Sequence, residues 1–350
     1  MQQTQLFVPG RVCLFGEHSD WAGAYRVQNP SLGIGRAILT GTDQGLYADI
    51  EKHPDRLIFH SRMGAKADPL SIEWPLEPER LLAIAEAGGL FSYVAGTAYQ
   101  VLSRFKTGGL VINNVKTDLP VKKGLSSSAA VSVLVARSFN QLYDLGLSVR
   151  EEMELAYQGE ITTPSRCGRL DQGCAFGGKP ILMTFDGDDL GVDPLPVGDD
   201  LHLIIADLAA AKDTKLILSS LNACYPRAAS WLAQKAQDYL GEINAQIVKE
   251  AAAALAAGDA GWVGRLMTSA QAAFDEHLAP VCPSQLKAPV LHNVLNYKPL
   301  QSLILGGKGV GSQGDGAAQF ITADAGKRAA AMELIKRELG MDCLELTIRN

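Results

Sequence analysis

The sequence has little that would tie the protein to nucleic acid or to a membrane. Lysine and arginine number 32 against 38 aspartates and glutamates, a net charge of −6, so the basic surplus that drives nucleic-acid binding is missing. No run approaches the roughly 18 apolar residues of a membrane span. The N-terminal segment lacks the basic start and apolar core of a secretory signal. We therefore expect a cytoplasmic protein with neither a nucleic-acid nor a membrane partner.

Cysteine is also sparse and unpaired in its spacing. No two of the cysteines form a Cys-x-x-Cys pair, which argues against structural zinc and against a disulfide framework. The pattern predicts buried free thiols. The six cysteines are Cys13, Cys167, Cys174, Cys224, Cys282 and Cys343.

What remains is the composition of an ordinary globular chain. Of the 350 residues, 47% are hydrophobic and 20% charged, which excludes collagen, coiled-coil and disordered classes. The length exceeds the roughly 250–300 residues at which single cores usually divide. A Pro- and Gly-containing stretch at 194–200 reads as a linker, so we predict domains at 1–197 and 198–350.

Hydrophobic periodicity predicts a mixture of strands and helices. The predicted strands are 6–16, 46–50, 57–60, 109–113, 181–185, 201–207, 302–305 and 317–322. The predicted helices are 91–104, a segment from the serines at 126–128 to 143, 151–159, 229–257, 262–278 and 325–339.

The clearest local signal is the stretch Lys-Lys-Gly-Leu-Ser-Ser-Ser-Ala-Ala at 122–130, which opens a predicted helix. Free backbone N–H groups and the positive end of a helix dipole favour an anion, Gly124 permits close backbone approach, and the hydroxyls can bind phosphate or a metal. A phosphate site is one interpretation. The other is that the serines only cap the helix. The Walker A pattern is absent.

A second glycine-rich stretch lies at 306–316, Gly-Gly-Lys-Gly-Val-Gly-Ser-Gln-Gly-Asp-Gly. It contains a formal Gly-x-Gly-x-x-Gly match, but a strand rather than a helix is predicted after it, which excludes a Rossmann fingerprint. The remaining interpretations are a loop close to a ligand and an ordinary hairpin connection.

The third segment is the apolar strand at 9–16 that runs into Glu17, His18, Ser19 and Asp20. Each polar residue alone is typical of a solvated loop. Clustered after a buried strand, they indicate a polar ligand site. A zinc site is a poor explanation for this cluster, because no His-Glu-x-x-His spacing occurs.

Taken in chain order, the segments at 9–20, 122–130 and 306–316 resemble the motifs of the GHMP kinase superfamily of small-molecule kinases. The first is most similar to the galactokinase signature Pro-Gly-Arg-Val-Asn-Leu-Ile-Gly-Glu-His-Thr-Asp-Tyr. The second is similar to the superfamily phosphate loop, and the third to its C-terminal glycine motif. The stretch Cys-Gly-Arg-Leu-Asp-Gln at 167–172 also resembles the Cys-Gly-x-x-Asp-Gln stretch of galactokinases.

The resemblance implies roles for particular residues in phosphoryl transfer from ATP. The resemblance implies that Asp171 is the catalytic base and that Arg11 stabilises the phosphoryl group during transfer. It also implies that Ser128 and Glu160 bind Mg²⁺, an ion that prefers oxygen ligands. It implies that Glu17, His18 and Asp20 hydrogen-bond the hydroxyls of a sugar. The implied nucleotide- and phosphate-binding residues are Lys123, Gly124, Leu125, Ser126, Ser127, Ser128 and Ala129.

The implied fold is α+β with two domains, the first similar to ribosomal protein S5 domain 2 and the second ferredoxin-like, with the active site in the cleft between them. The implied activity is ATP-dependent phosphorylation of a hydroxyl, anomeric or other, on a monosaccharide or sugar acid. Alternatives are an isoprenoid-pathway kinase and a sugar or nucleotide sensor without turnover. The Glu-His-x-Asp cluster favours a sugar, because mevalonate has few hydroxyls for it to bind.

The chain departs from the galactokinase pattern in places that bear on the substrate. Trp21 stands at a position usually held by Tyr, and Lys308 interrupts the third motif. Arg166 and Arg169 lie within five residues of Asp171. They are suited to the carboxylate of a sugar acid, and equally to nucleotide phosphate or to solvent.

Overall fold

The computed structural model of the protein describes residues 4–61, 70–119, 125–165 and 167–350. Internal contacts divide the chain into two compact units. Unit 1 comprises Met1–Arg11 and Gly41–Gly178, and unit 2 comprises Val12–Thr40 and Lys179–Asn350. Among the described residues, no helix is both long and apolar enough to cross a membrane.

Eleven strands and twelve α-helices lie within the described ranges. The strands are β1 (Thr4–Phe15), β2 (Gly35–His53), β3 (Arg56–Ser61), β4 (Leu70–Pro75), β5 (Gly109–Thr117), β6 (Ile181–Asp186), β7 (Asp189–Pro194), β8 (Leu201–Asp207), β9 (Gly306–Gly309), β10 (Ala317–Thr322) and β11 (Cys343–Ile348). The helices are α1 (Ser19–Ala24), α2 (Pro78–Ala87), α3 (Ser92–Leu102), α4 (Ser127–Tyr143), α5 (Val149–Ile161), α6 (Thr214–Asn222), α7 (Trp231–Asp238), α8 (Asn244–Ala257), α9 (Ala260–His277), α10 (Pro283–Leu286), α11 (Pro289–Leu295) and α12 (Ala325–Leu334).

Unit 1 is built from strands paired around β5. The later part of β2 pairs with β5 antiparallel, with Ile50 opposite Ile112. Strand β3 pairs with β5 in parallel and with β4 antiparallel. Helix α4 buries small and branched apolar side chains over most of its length, as expected for a helix surrounded by protein. These side chains are Ala129, Ala130, Val133, Leu134, Val135, Ala136 and Phe139.

Two glycines let helices α3 and α5 approach each other closely. A Cβ atom added to Gly96 would lie 2.3 Å from the carbonyl oxygen of Gly159, and one added to Gly159 would lie 2.5 Å from the Cα of Thr97. Real Cβ atoms do not tolerate such distances, so this packing requires glycine. The approach fixes the end of α5, where the next residue is Glu160.

Unit 2 contains an antiparallel sheet with the strand order β11-β8-β10-β9. Phe320 of β10 lies opposite Ile204 of β8, and both are fully buried. The first residues of β2 form a separate antiparallel ladder with β6, where Gly35 pairs with Phe185. Helix α1 packs tightly here, since a Cβ at Gly35 would lie 2.1 Å from the carbonyl oxygen of Ser19.

The predicted strand at 302–305 is wrong. A 3-10 helix (Lys298–Ser302) ends there, and the edge strand beside β10 is β9, made of the Gly-Gly-Lys-Gly sequence at 306–309. A Cβ on Gly306 would lie 1.9 Å from the carbonyl oxygen of Gly264 in α9. Glycine is therefore required at position 306 because a helix backbone packs directly on it, which β-propensity does not predict.

The compact units do not follow the contiguous division at residue 197. Strands β1 and β2 are 12 and 19 residues long, and each contributes residues to both units, so contacts group the chain discontinuously. The division at 197 stays a prediction about folding domains.

Candidate active site

Asp171 is the centre of the polar site in unit 1. It begins a 3-10 helix (Asp171–Phe176), and its Oδ1 forms an ion pair with the guanidinium of Arg11 in β1. The hydroxyl of Ser126 donates to the same oxygen at 2.9 Å. The backbone N–H of Arg11 donates to the carbonyl oxygen of Leu125 at 3.1 Å, which ties β1 to the serine segment. Three distant stretches of sequence thus meet at one carboxylate.

At the start of α4, the hydroxyls of Ser126 and Ser128 bind other side chains and do not cap the helix. Ser126 is the N-cap residue, in a left-handed conformation with φ 56°, yet its side chain makes no capping hydrogen bond. Its hydroxyl contacts Asp171, and that of Ser128 donates to Glu160 Oε1 at 2.8 Å. The interpretation that these serines serve only as a cap therefore does not fit Ser126 or Ser128.

The rest of the predicted phosphate segment is only partly covered by the structure. Leu125 and Ala129 are buried beside the serines, and Ser127 is the first residue of α4. Lys123 and Gly124 lie outside the described residues.

Glu160 is a fully buried carboxylate that accepts hydrogen bonds from several side chains, Ser128, Gln172 and, at 3.4 Å, Ser165 among them. Ser128 binds Oε1, and the Nε2 of Gln172 donates to Oε2 at 2.7 Å. Burial, and secondly the negative charge of Asp171, raise the pKa of Glu160 to about 7, because these effects outweigh the hydrogen bonds it accepts. No role was expected of Gln172 from the sequence. Its position directly after Asp171 is the feature that could have identified it as a site residue.

Ser128 and Glu160 fit a magnesium ion by the spacing of their oxygens. Adjacent ligands of an octahedral ion with bonds of about 2.0–2.1 Å lie about 2.9 Å apart. Ser128 Oγ and Glu160 Oε1 are 2.8 Å apart, so they span one such edge. Among the described residues, no group of three or more His, Cys, Asp or Glu side chains is gathered for a metal, so any ion here depends on phosphate or water oxygens as well.

In unit 2, Glu17 is held by a lysine that the sequence analysis leaves without a role. The ammonium group of Lys308 forms an ion pair with Glu17 Oε1, and both side chains are buried. Lys308 also donates to the carbonyl oxygen of Gly309 at 3.1 Å. A buried carboxylate needs such a partner, because desolvation of an unpaired charge is strongly unfavourable. The departure from the glycine motif thus coincides with a contact to the first motif.

His18 and Asp20 lie beside Glu17 at the start of α1. His18 is buried, with φ 72°, and the indole N–H of Trp21 donates to its Nδ1 at 3.1 Å. The ring of Phe274 stacks on His18 with 6.4 Å between centroids. Asp20 is half-buried in the first turn of the helix. The three predicted acceptor-binding residues are therefore contiguous in unit 2.

The segment that follows β9 is a hairpin connection to β10, and two glutamine side chains hydrogen-bond its backbone. Gln271 of α9 accepts the backbone N–H of Gly309 at 2.7 Å, and Gln313 donates to the carbonyl oxygen of the same glycine at 3.2 Å. The backbone is that of a hairpin connection, and a ligand close to this segment stays a prediction.

Arg169 contacts helix α5. Its guanidinium lies 5.0 Å from the ring centroid of Tyr157 and 3.4 Å from Glu154 Oε1. Arg166 lies outside the described residues.

Comparison with known proteins shows which families the chain is similar to. Residues 92–178 match the family of GHMP kinases, N-terminal domain. A galactokinase from Thermococcus kodakarensis is 29% identical over 79% of this chain and 79% of its own length. A galactokinase from Pyrococcus furiosus is 28% identical over 56% of this chain, but over only 51% of its own length. The predicted resemblance to GHMP kinases, and to galactokinases among them, is thereby confirmed.

Solved structures extend the likeness to the whole chain. The Lactococcus lactis galactokinase complexed with galactose has a TM-score of 0.72 at 18% identity, covering 99% of this chain and 93% of that one. The mevalonate kinase of Methanococcus jannaschii has a TM-score of 0.73 at 17% identity, covering 100% and 99%. The α+β GHMP kinase fold is confirmed.

Proposed function

We propose that the protein is an ATP-dependent sugar kinase that phosphorylates a hydroxyl, the anomeric one by preference, of a monosaccharide or sugar acid. The observation that carries the proposal is the contact set around Asp171, where Arg11 and Ser126 meet the carboxylate while Ser128 and Glu160 lie on the neighbouring helices. The galactokinase relatives support a sugar as the acceptor.

In this proposal each residue performs one task of phosphoryl transfer. Asp171 orients the acceptor hydroxyl and accepts its proton. Arg11 stabilises the charge that spreads over the transferring phosphoryl group. The N-terminus of α4, with the segment 123–129 before and within it, binds the ATP phosphates.

Ser128 and Glu160 would hold Mg²⁺, which neutralises phosphate charge when it is bound. Glu17, His18 and Asp20 would bind the acceptor, with Lys308 fixing Glu17. The absence of a disulfide among the six cysteines supports a reducing compartment, and we propose the cytoplasm.

The test of the mechanism is Asp171→Asn. We expect kcat to fall by about 10²–10⁴-fold, the usual effect of losing a general base, while ATP affinity is unchanged. Asp144→Asn is the control, because Asp144 is an exposed acidic residue of unit 1 whose left-handed backbone, with φ 50°, suits asparagine. ADP release and ATP binding by calorimetry measure the two effects. A variant with the wild-type kcat would remove Asp171 from the mechanism.

A panel of neutral sugars, sugar acids and mevalonate, each with ATP and Mg²⁺, tests the acceptor. Turnover with a sugar or sugar acid is expected. Turnover with mevalonate alone would support an isoprenoid-pathway kinase, and binding of sugar and ATP without ADP release would support a sensor.

A further inference from the structure

The hydrogen bond between Trp21 and His18 decides which nitrogen of the imidazole carries the proton. An indole nitrogen is a donor only, so the Nδ1 that receives Trp21 Nε1 at 3.1 Å must be the unprotonated nitrogen. In the neutral ring, the proton therefore resides on Nε2.

The ring is neutral at physiological pH. Burial, followed by the positive charges of Lys212 and Lys308, lowers the pKa of His18 to about 4. Protonation of Nδ1 would also bring two N–H donors face to face. Both effects favour the neutral ring with its proton on Nε2.

The Nε2–H group is buried and lacks a hydrogen bond of normal geometry. His18 is 5% exposed, and its Nε2 makes no hydrogen bond of normal geometry in the described part of the chain; the backbone of Ser312 offers it only a weak one. A buried donor with a weak acceptor gains less than a full hydrogen bond, and a ligand oxygen would supply the missing part.

Trp21 is itself held in place by aromatic neighbours. The ring of Tyr225 meets it edge-on at 5.3 Å between centroids, and that of Tyr25 at 6.4 Å. An indole held by these two rings keeps its N–H aimed at His18. The tryptophan is also a departure of this chain from the galactokinase signature, which has tyrosine there.

We propose that Trp21 is a positioning residue that locks His18 as the Nε2–H tautomer, so that His18 presents one buried N–H donor to an oxygen of the acceptor substrate. That His18 meets the acceptor rests on the proposed function. The oxygen is either a hydroxyl of a neutral sugar or the carboxylate of a sugar acid, since both offer the required lone pair. The nearby charge of Lys212 favours the carboxylate, whereas that of Lys308 is already paired with Glu17.

The tautomer is measured without any ligand. Long-range ¹⁵N NMR of histidine-labelled protein at pH 7, with the signal assigned through His18→Gln, is expected to show an Nε2–H tautomer. Trp21→Phe keeps an aromatic ring but removes the donor, and is expected to shift His18 toward a tautomer mixture. Trp231→Phe is the matched control, because Trp231 is 68% exposed on α7 and contacts Lys235 instead. A charged or Nδ1–H imidazole in the wild type, or an unchanged tautomer in Trp21→Phe, overturns the proposal.

Kinetics then connect the tautomer with the acceptor. Trp21→Phe is expected to raise the KM of the acceptor by about five- to tenfold with kcat and the KM of ATP little changed, since one hydrogen bond to the acceptor is weakened. A larger increase for a sugar acid than for its neutral counterpart identifies a carboxylate at Nε2, and the reverse identifies a hydroxyl. An unchanged acceptor KM overturns the proposal.

Failure of the proposed function would look different. A protein that turns over no sugar or sugar acid, yet keeps the tautomer that depends on Trp21, refutes the sugar-kinase assignment while supporting the role of Trp21. An active sugar kinase whose His18 signal ignores Trp21→Phe refutes only the present inference.

Discussion

Glu160 illustrates how single residues of the site combine structure with chemistry. It accepts hydrogen bonds from Ser128 and Gln172, both of which favour the ionised form, yet burial and the charge of Asp171 prevail and raise its pKa to about 7. A cation would reverse that balance, which is the electrostatic reason to expect one there.

This pKa predicts a stability change with pH in the metal-free protein. Between the ordinary value of 4.5 and about 7, the folded state holds one proton more than the unfolded state, so the free energy of unfolding falls as pH rises through this window and levels off above it. The fall amounts to about 3 kcal/mol at most. We expect Glu160→Gln to abolish it. Gln172 can turn its amide to match, because its Oε1 has no partner in the described structure.

Urea unfolding at pH 5, 6, 7 and 8 measures the effect as a difference between wild type and variant, in which other titrating groups cancel. Glu86→Gln, at an exposed carboxyl of the same unit, is the control and is expected to follow the wild type. Equal pH slopes for wild type and Glu160→Gln would show that Glu160 ionises normally.

At this scale, the family resemblance led to residues that do meet in space. Arg11 contacts Asp171, and Ser128 contacts Glu160, although their roles stay proposals. The contact between Lys308 and Glu17 was not predictable, because it joins positions 291 residues apart through a strand whose location was predicted wrongly.

At the scale of elements, glycines set where the site helices lie. Glycine inside a helix is normally unfavourable by about 1 kcal/mol relative to alanine. Gly159 in α5 is an exception, because its absent Cβ is what lets the backbone of Thr97 in α3 approach. The sequence predicted both helices from their apolar periodicity, but nothing in that periodicity reveals how close their axes are.

Gly159→Ala is therefore expected to destabilise the protein, against the helix-propensity trend. Insertion of a methyl group against backbone atoms costs about 1–3 kcal/mol, which exceeds the propensity gain. Gly178→Ala is the matched control, since a Cβ there would meet no atom within 4 Å. Urea unfolding of both variants decides the sign. A Gly159→Ala variant as stable as the wild type would mean that α3 and α5 separate at little energetic expense.

At the scale of the whole molecule, the two units carry different parts of the proposed chemistry. Unit 1 holds the residues proposed for phosphate, metal and proton transfer, and unit 2 holds those proposed for the acceptor. The linker-like stretch at 194–200 suggested a single boundary. The contact-defined units differ from it because two long strands contribute to both units. The length of β2 was poorly specified by the sequence, where Gly41 and Gly45 interrupt its apolar pattern.

This division predicts where each ligand slows hydrogen exchange. A ligand at 100 times its Kd stabilises the bound state by about 2.7 kcal/mol, which slows exchange through ligand-free openings by about 100-fold. A non-hydrolysable ATP analogue with Mg²⁺ is expected to protect peptides containing Ser126–Ser128 and Glu160–Asp171 of unit 1. A sugar or sugar acid that the protein phosphorylates is expected to protect Glu17–Trp21 of unit 2. Hydrogen exchange of the intact chain, read by mass spectrometry with each ligand alone, makes the comparison. If the acceptor left the 17–21 peptide unchanged while slowing exchange elsewhere, the first motif would not be the acceptor site, and the roles proposed for Glu17, His18 and Asp20 would fall together.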